Sequence, residues 1–538
     1  MNPQIPWARA IMDTLRSGGC EQVVASPGSR STPLVLASLD AGLSLHTIID
    51  ERCAAFFALG LVRATGKPVA LLCTSGSAAG HYLPAVMEAS ADSQPLVVVS
   101  SDRPPELQGS GANQTTDQTR LFGGHVRTFL DLGTATDSDA ALRGVIRRCR
   151  KVMLDATFPH AGPVHINVPL RKPLEGRSDA PLFPQPRVFV PEGGAASDNA
   201  LDAIGEVLAR GERPAIVAGP ASLAQRGLRA PTRRLAECLG APILADLTSQ
   251  LHGLPFLDSF DPDVILQLGR PPIDSGWEAW SSQRKRIVIT PGPWYDPGSN
   301  ADLIAFGALH DFVTRLANGL RDRAPWCAEL SENVAEVLGN VERETLGHAS
   351  VARLFSEAVP RDGLLMAGNS LSIRHLDLFG SRRAPGVLHQ RGLSGIDGLV
   401  AGAAGASAAG YPVGLMLGDV SLLHDIKSLA LTPPGATLVV VVLNDQGGRI
   451  FERLPVSEDI EREIFEEHFA TKHTASFDKA AAAFGAHYAC PRDVASLDKE
   501  LRQGFRTKGT TLIEVQLPTD SDARTRAALQ GALQVLRR

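Results

Sequence analysis

The sequence predicts an α/β protein of three doubly wound parallel-sheet domains, in which the first and third domains are related. Short apolar runs that end in Gly, Ser or Asp alternate with helical patterns along the whole chain, which is typical of parallel sheets covered by helices. With 538 residues the chain is too long for a single hydrophobic core. Stretches rich in proline, glycine and charge divide it, and an internal repeat relates its two ends.

The domain boundaries follow from composition. Residues 171–198 are rich in Pro, Gly and charged residues, and the charged residues 320–345 resemble a helical bridge. We therefore predict a first domain over residues 1–180, a linker over 181–198, a central domain over 199–335 and a third domain over 345–538. The central domain has four strand candidates, at residues 215–219, 242–246, 264–269 and 286–292.

Composition excludes several classes of protein. A net charge of −5 gives no bulk attraction to nucleic acid or to an anionic membrane. The seven cysteines are scattered without a CxxC pair, which argues against a disulfide framework and favours a reducing compartment. The uncharged stretch 398–418 contains Gly402, Gly405, Gly410, Pro412 and Gly414, and it predicts a small-residue helix followed by a buried strand, not a membrane span. We expect a soluble, cytoplasmic protein without nucleic-acid or membrane partners.

The internal repeat involves three segments in the same order. GKPVALLCTSGS (66–77) resembles GYPVGLMLGDVS (410–421), and PLVVVSSD (95–102) resembles TLVVVVLND (437–445). Upstream, residues 48–61 correspond to residues 389–402, at nearly the same separation. A duplicated α/β domain predicts a ligand site between the copies, because ligands bind outside the carboxyl ends of parallel strands.

Two acidic residues in the third domain predict a metal site. Asp419 follows the strand at 413–417, and Asp445 follows the strand at 437–443, with a helical stretch at 421–431 between them. One crossover brings both strand ends to the same edge of the sheet. Mg²⁺ usually takes one or two carboxylates plus phosphate oxygens, so Asp419, Asp445, the Gly447 carbonyl, two diphosphate oxygens and a water could complete an octahedron. Alternatively, Asp419 caps a helix and Asn444-Asp445 forms a loop.

This pattern resembles the fingerprint of enzymes that bind thiamine diphosphate, in which Gly-Asp is followed some 25 residues later by Asn-Asn or Asn-Asp. Here Gly418-Asp419 and Asn444-Asp445 form the pair, and Val420 replaces the usual third glycine. Thiamine chemistry also needs a carboxylate on the pyrimidine ring of the cofactor. Glu51, which follows a predicted short strand (46–50) and opens a helix, is the best candidate; the alternative is a first-turn Glu favoured by the helix dipole.

Further strings narrow the resemblance to one family. SPGSRSTP (26–33), DER (50–52), CTSG (73–76), DRPPEL (102–107), GANQ (111–114), GNS (368–370), RGLSGID (391–397) and NDQGGRIF (444–451) occur in order. Together they closely resemble the menaquinone-pathway family of 2-succinyl-5-enolpyruvyl-6-hydroxy-3-cyclohexene-1-carboxylate (SEPHCHC) synthases, over nearly the whole chain.

The resemblance implies a transferase that uses thiamine diphosphate with Mg²⁺ or Mn²⁺, decarboxylates 2-oxoglutarate and adds the succinyl unit to isochorismate. It implies homodimers or homotetramers with each site made by two subunits, and names the first domain pyrimidine-binding and the third diphosphate-binding. The implied catalytic residues are Glu51 and Gln114. The implied cofactor-binding residues are Pro27, Glu51, Ser75, Gly76, Ser370, Ile396, Gly418, Asp419, Ser421 and Asp445. The implied substrate-binding residues are Ser29, Arg30, Arg103, Asn113, Gln114, Arg374, Arg391, Ile450, Phe451 and Leu454.

One departure and two alternatives stay open at this point. After Gly269-Arg270-Pro-Pro272 the family is expected to have basic residues, whereas this chain has Ile273-Asp-Ser-Gly276. The nearest alternative is another thiamine-dependent carboligase or decarboxylase, although the four arginines argue against small monoanionic substrates. A nucleotide-binding protein on a doubly wound fold is disfavoured, because no GxGxxG follows a strand.

Overall fold

A computed structural model describes residues 2–178, 183–190, 194–382 and 385–536. Within these ranges the strands form three sheets, of six, five and six strands, and every strand pair is parallel. The predicted fold class is therefore confirmed. The predicted domain boundaries stay predictions, and part of the predicted linker lies outside the described residues.

The first sheet has the strand order β2-β1-β3-β4-β6-β5. Its strands are β1 (Gln22–Ala25), β2 (Ser44–Thr47), β3 (Val69–Cys73), β4 (Leu96–Asp102), β5 (Phe129–Asp131) and β6 (Val164–Pro169). Its helices are α1 (Gln4–Ser17), α2 (Thr32–Asp40), α3 (Glu51–Thr65), α4 (Leu83–Ala91) and α5 (Asp139–Asp155). The central strands β3 and β4 are buried along their whole length, as expected for strands covered on both faces.

The second sheet has the order β11-β10-β9-β7-β8. Its strands are β7 (Pro214–Ala218), β8 (Ile243–Ala245), β9 (Val264–Leu268), β10 (Lys285–Thr290) and β11 (Leu303–Phe306), and the first four confirm the four strand candidates. Its helices are α6 (Asp198–Arg210), α7 (Arg229–Leu239), α8 (Trp277–Ser281), α9 (Leu309–Gly319) and α10 (Ala328–Asn340).

The third sheet has the order β13-β12-β14-β15-β17-β16. Its strands are β12 (Leu364–Ala367), β13 (Val387–His389), β14 (Val413–Gly418), β15 (Thr437–Asn444), β16 (His487–Ala489) and β17 (Gly509–Gln516). Its helices are α11 (His348–Ala358), α12 (Leu371–Phe379), α13 (Leu399–Ala408), α14 (Asp419–His424), α15 (Val456–Asp459), α16 (Arg462–His468), α17 (Phe477–Ala483), α18 (Val494–Gly504) and α19 (Ser521–Leu536).

The first and third sheets have the same topology. In each, the second strand lies at one edge, followed by the first, third, fourth, sixth and fifth. The Gly-x-Pro-Val repeat forms the third strand of its sheet in both copies, β3 and β14, and the Val-rich repeat forms the fourth, β4 and β15. The predicted relationship between the two domains is therefore confirmed.

Two local predictions were wrong in detail. The strand predicted over 46–50 ends at Thr47, because Asp50 instead caps α3 by accepting a 3.0 Å hydrogen bond from the Cys53 N–H. The helix predicted over 421–431 is interrupted at Asp425, so that α14 ends at His424 and a 3-10 helix follows. The Asp425 carboxylate accepts bonds from the Ser428 hydroxyl (2.7 Å) and the Ala401 N–H (2.9 Å), which compete with a continuous helix.

The described residues group into two compact units. The first unit contains the first sheet together with Gln390–Gly410 and His424–Pro433, so that α13 packs against α3 within it. The second unit contains the other two sheets. None of the described helices is both long and apolar enough to cross a membrane.

Candidate active site

The ends of β14 and β15 bring two carboxylates to one edge of the third sheet. Gly418 pairs with Leu443 in the parallel register, so Asp419 and Asp445 follow neighbouring strands at the same edge. Their residues are only 1% and 5% exposed. The sequence-predicted pair therefore exists as a buried cluster in the second unit.

Asp419 is fixed by backbone donors. Its Oδ1 accepts from the Val420 N–H at 2.7 Å, and its Oδ2 accepts from the Gly447 N–H at 2.8 Å. His473 Nε2 lies 3.0 Å from the same Oδ2. Burial raises the pKa of Asp419, while the Gly447 and Val420 hydrogen bonds act in the opposite sense. The carboxylate is thus held in one orientation with Gly447 beside it.

Of the two acids at this edge, Asp445 has the more strongly raised pKa. Burial, and then the nearby charge of Asp419, raise the pKa of the Asp445 carboxyl to about 8. His348 Nε2 lies 3.6 Å from Asp445 Oδ2, and burial keeps the pKa of His348 well below its ordinary value. A neutral imidazole does not balance two acids, so this edge favours a cation.

The segment after Asp445 is held by one buried arginine. Arg449 is fully buried, donates from Nε to the Asp445 carbonyl at 3.0 Å and forms a bidentate pair with Glu466 at 2.9 and 3.0 Å. Gly447 has φ +132°, and a Cβ there would lie 2.3 Å from the Ala470 carbonyl oxygen. Only glycine fits at this position, which leaves its backbone accessible beside Asp419.

The donors at this edge fit a hard divalent cation shared with a diphosphate. No group of three or more His, Cys, Asp or Glu side chains that could hold a metal ion occurs in the described part of the chain. Two carboxylates and a backbone carbonyl alone leave a Mg²⁺ octahedron incomplete, and phosphate oxygens and water usually complete it. Asp419, Asp445 and Gly447 are the residues that could hold such an ion.

Glu51 begins α3 at the carboxyl edge of the first sheet. Its side chain is half-buried, and its carboxylate accepts no hydrogen bond from any described residue. Burial, and to a smaller extent the charge of Glu51, raises the pKa of the Cys73 thiol at the end of β3. Glu51 is therefore an available carboxylate at the strand ends of the first unit.

Five predicted residues come together at the same edge of the first sheet. Gln114, at φ +56°, donates from Nε2 to the Ser75 carbonyl at 3.0 Å, and its side chain packs against Gly76. Arg103 donates to the Ser75 hydroxyl. Arg30 donates to the Leu170 carbonyl at 2.6 Å, and burial together with the Arg103 charge lowers the pKa of Arg30. The edge therefore carries two buried, neighbouring guanidinium groups.

The remaining predicted residues lie singly or in pairs. Ser370 has φ +65° and precedes α12, where Arg374 donates to its carbonyl at 2.7 Å. Arg391 and Ile396 lie half-buried in the segment before α13. Phe451 and Leu454, 37% and 48% exposed, are beside the half-buried Ile450. Pro27, Ser29 and Asn113 are exposed, whereas Ser421 is buried in α14.

Sequence reasoning missed the supporting residues of both edges. His473 and His348 contact the two acids from segments far along the chain, and no local motif marks them. In the first sheet, Asn167 on β6 donates to Asp102 and Asp131 at 2.9 Å each. Two polar residues, His165 and Asn167, inside the fully buried strand VHINVP were the available signal for Asn167.

Comparison with known proteins identifies two domains of the chain and its relatives. Residues 6–121 match the family model of the thiamine pyrophosphate enzyme N-terminal TPP binding domain, and residues 369–515 match the C-terminal TPP binding domain. The fold is similar to the crystal structure of benzoylformate decarboxylase from Polynucleobacter necessarius, with a TM-score of 0.77, 15% identity, and coverage of 96% of this chain and 99% of that chain.

Closer relatives share the whole length. A SEPHCHC synthase of Sorangium cellulosum is 38% identical, with 96% of this chain and 93% of that protein covered. A SEPHCHC synthase of Geobacillus kaustophilus is 35% identical, with 95% and 94% covered. Identity at this level over nearly the full length, together with both cofactor-binding domains, establishes that this chain belongs to the SEPHCHC synthase family of thiamine pyrophosphate enzymes.

Proposed function

We propose that this enzyme decarboxylates 2-oxoglutarate and transfers the succinyl unit to isochorismate, the SEPHCHC synthase reaction of menaquinone biosynthesis. The observation that carries the proposal is the pair of buried arginines, Arg30 and Arg103, at the carboxyl edge of the first sheet. Each substrate has two carboxylates, and arginine is the side chain best suited to bind them.

The buried positive charges of Arg30 and Arg103 favour binding of an anion. Arg30 and Arg103 are 5% and 8% exposed, and the Nε of Arg30 has no hydrogen-bond partner among the described residues. Two buried like charges repel each other, so a carboxylate that reaches both relieves the repulsion and satisfies the free donor. A small monoanionic 2-oxoacid needs no further arginine, whereas Arg374 and Arg391 suit the second carboxylate of a dicarboxylate, which supports the dicarboxylate substrates.

We further propose that Asp419, Asp445 and the Gly447 carbonyl hold Mg²⁺ or Mn²⁺, and that Gly418 and Ser421 lie at the diphosphate. When bound, thiamine diphosphate supplies a stabilised carbanion equivalent for cleavage and formation of bonds next to a carbonyl. The two buried acids offer the charge that a divalent ion needs, and the N–H groups at the start of α14 suit phosphate oxygens.

Glu51 is assigned to proton handling at the pyrimidine nitrogen of the cofactor. Its carboxylate has no hydrogen bond to a described residue, so it is available to hold a proton there. Gln114 is assigned to orient the reacting groups and to relay a proton through its amide. Pro27, Ser75, Gly76, Ser370 and Ile396 are assigned to the cofactor.

The substrate contacts are assigned to two kinds of residue. Ser29, Arg30, Arg103, Asn113, Arg374 and Arg391 would hold carboxylate and hydroxyl groups. Ile450, Phe451 and Leu454 would form an apolar wall, which excludes water from the reacting carbons. We also propose a homodimer or homotetramer with each site made by two subunits. The seven free cysteines support a cytoplasmic location.

A reconstitution assay tests the proposal. Purified enzyme is supplied with thiamine diphosphate, Mg²⁺, 2-oxoglutarate and isochorismate, and release of CO₂ and loss of isochorismate are followed together. Arg103→Ala should raise KM for a dicarboxylate by roughly 10–100-fold, the equivalent of one charged hydrogen bond. Arg315→Ala, which removes an exposed arginine paired with Asp198, should leave KM unchanged. Turnover of pyruvate without any requirement for isochorismate would instead indicate a different thiamine-dependent carboligase.

A further inference from the structure

The segment Gln390–Asp397 carries two of the predicted site residues, Arg391 and Ile396, and belongs to the first unit. Two of its backbone N–H groups donate hydrogen bonds to one acidic side chain of α4. The Gly392 N–H donates to Glu88 Oε1 at 2.9 Å, and the Leu393 N–H donates to Glu88 Oε2 at 2.6 Å. Each carboxylate oxygen of Glu88 therefore accepts one of two consecutive N–H groups that directly follow Arg391.

Glu88 is itself held by a buried arginine. Arg63 of α3 donates from one terminal nitrogen to Glu88 Oε1 at 2.6 Å and to Asp92 at 3.0 Å. The other terminal nitrogen lies 3.4 Å from the Gln390 Oε1, in the same segment. The side chains of Arg63 and Glu88 are 5% and 4% exposed. The ion pair is therefore almost excluded from water and is fully hydrogen-bonded. Under these conditions an ion pair holds a defined geometry.

The contact between Glu88 and the segment is also sterically close. A Cβ on Gly392 would lie 2.7 Å from the Glu88 carbonyl oxygen and 2.9 Å from its carboxyl carbon. Any larger residue at position 392 would push the segment away from α4. The ends of the segment are joined by a hydrogen bond from the Gln390 side chain to the Asp397 carbonyl. The backbone around Arg391 thus has few ways to move.

We propose that Glu88, held by Arg63, is a positioning residue. It orients the Arg391 side chain so that this side chain can bind a substrate carboxylate. The inference rests on the proposed function, which assigns Arg391 to the substrate. The peptide group after Arg391 is the one whose N–H donates to Glu88, so the bond fixes the direction in which the Arg391 side chain leaves the backbone. An arginine on a long flexible side chain binds a carboxylate well only when its stem starts from a fixed place.

A buried ion pair that accepts backbone N–H groups can also serve structure alone. The chain contains a matched arrangement elsewhere, which serves as a control. Asp296 is 6% exposed, pairs with the fully buried Arg286 and accepts from the Asn300 and Ala301 N–H groups at 3.2 and 3.3 Å. It contacts none of the predicted site residues.

Glu88→Gln and Asp296→Asn therefore test the proposal together in the complete enzyme with cofactor, Mg²⁺ and both substrates. Each variant loses one buried charge and keeps its shape. We expect Glu88→Gln to raise KM for one dicarboxylate about tenfold, with kcat changed much less, and Asp296→Asn to leave both KM values as in the wild type. Equal behaviour of the two variants would reduce Glu88 to a structural residue and overturn the proposal.

A double-mutant cycle tests two claims separately: that Arg391 binds substrate, and that Glu88 acts through Arg391. If Glu88 acts through Arg391, Glu88→Gln should add no more than about twofold to the KM effect of Arg391→Ala, because residues that act as a unit are not additive. Full additivity overturns the role of Glu88 while leaving Arg391 in place. If Arg391→Ala leaves both KM values unchanged, the assignment of Arg391 fails first, and the proposal fails with it.

Gly392→Ala provides a second variant that keeps the ion pair intact. The added methyl group must displace the segment from Glu88, so the same KM should rise as in Glu88→Gln. If Glu88→Gln does not fold, Gly392→Ala still tests whether the contact with Glu88 positions Arg391. A wild-type KM in folded Gly392→Ala would overturn the proposal.

Discussion

Gly60 of α3 and Gly402 of α13 meet face to face: a Cβ on Gly60 would lie 1.9 Å from the Gly402 carbonyl oxygen. The two glycines lie in corresponding helices of the internal repeat, since each helix precedes the third strand of its sheet. Gly405 makes a similar approach, with its Cβ position 2.0 Å from the Phe57 carbonyl oxygen. The two equivalent helices therefore cross at backbone contact distance.

Gly60→Ala should destabilise the enzyme by about 1–3 kcal/mol, because a methyl group at this crossing has no room and must separate the helices. Gly144→Ala is the control, since Gly144 lies inside α5 with nothing within 4 Å of its Cβ position. That change should stabilise the enzyme by about 0.5–1 kcal/mol through helix propensity. Urea unfolding of the two variants measures both effects, and equal stability of Gly60→Ala and wild type would contradict the close crossing.

The repeat is also what made most of the fold predictable from sequence. The strands β3 and β14, and β4 and β15, have local apolar patterns bounded by glycine and proline, and such patterns specify buried parallel strands without reference to the rest of the chain. Asp419 and Asp445 were predictable for the same reason, because each directly follows one of these strands. Chain topology alone then brings them to one edge.

The supporting contacts could not be predicted, because they join segments that are distant in sequence. Glu88 lies 304 residues from Gly392, and His473 lies 54 residues from Asp419. Neither has a local signature, since a buried glutamate in α4 follows the same helical period as its apolar neighbours. The interruption at Asp425 was missed for a similar reason: its partner, the Ala401 N–H, comes from another helix.

Glu51→Gln should retain thiamine diphosphate and lose turnover by about 10²–10⁴-fold, the usual range for a positioned acid–base group. The amide keeps the size of the side chain but cannot exchange a proton at the pyrimidine nitrogen. Cofactor binding is measured by titration calorimetry and turnover by CO₂ release. Glu21→Gln, which changes an exposed glutamate paired with Lys67, is the control. Wild-type turnover of Glu51→Gln would remove Glu51 from the mechanism.

Asp419→Ala should weaken the retention of cofactor and metal together. Two buried acids share this edge, and loss of one leaves too little negative charge for a divalent ion. We expect the Kd of thiamine diphosphate in the presence of Mg²⁺ to rise at least about tenfold, within the range typical for lost metal-site residues. Asp478→Ala, at the exposed start of α17, is the control. An unchanged Kd together with an unchanged Mg²⁺ requirement would refute the assignment of Asp419.

His165 of β6 gives a prediction about pH. It is fully buried, with Nε2 2.7 Å from the Ser100 hydroxyl and with Phe122 and Phe129 against its ring. Burial lowers the pKa of His165 to about 3, whereas an unfolded histidine titrates near 6.5. Below about pH 6.5 this histidine therefore binds a proton in the unfolded chain but not in the folded protein. Stability due to this residue is complete above about pH 6.5 and is lost as the pH falls toward 3.

His165→Gln should flatten this dependence, because glutamine can accept or donate a bond to Ser100 without titrating. Between about pH 7 and pH 5.5 the wild type should lose about 1 kcal/mol more of its free energy of unfolding than the variant does. Urea unfolding at the two pH values measures the difference. His487→Gln removes an exposed histidine of β16 and keeps the buried ring, so it should follow the wild type. Parallel pH profiles of His165→Gln and wild type would mean that the His165 ring takes up its proton in the folded protein, and that burial in the first sheet does not exclude the charged form.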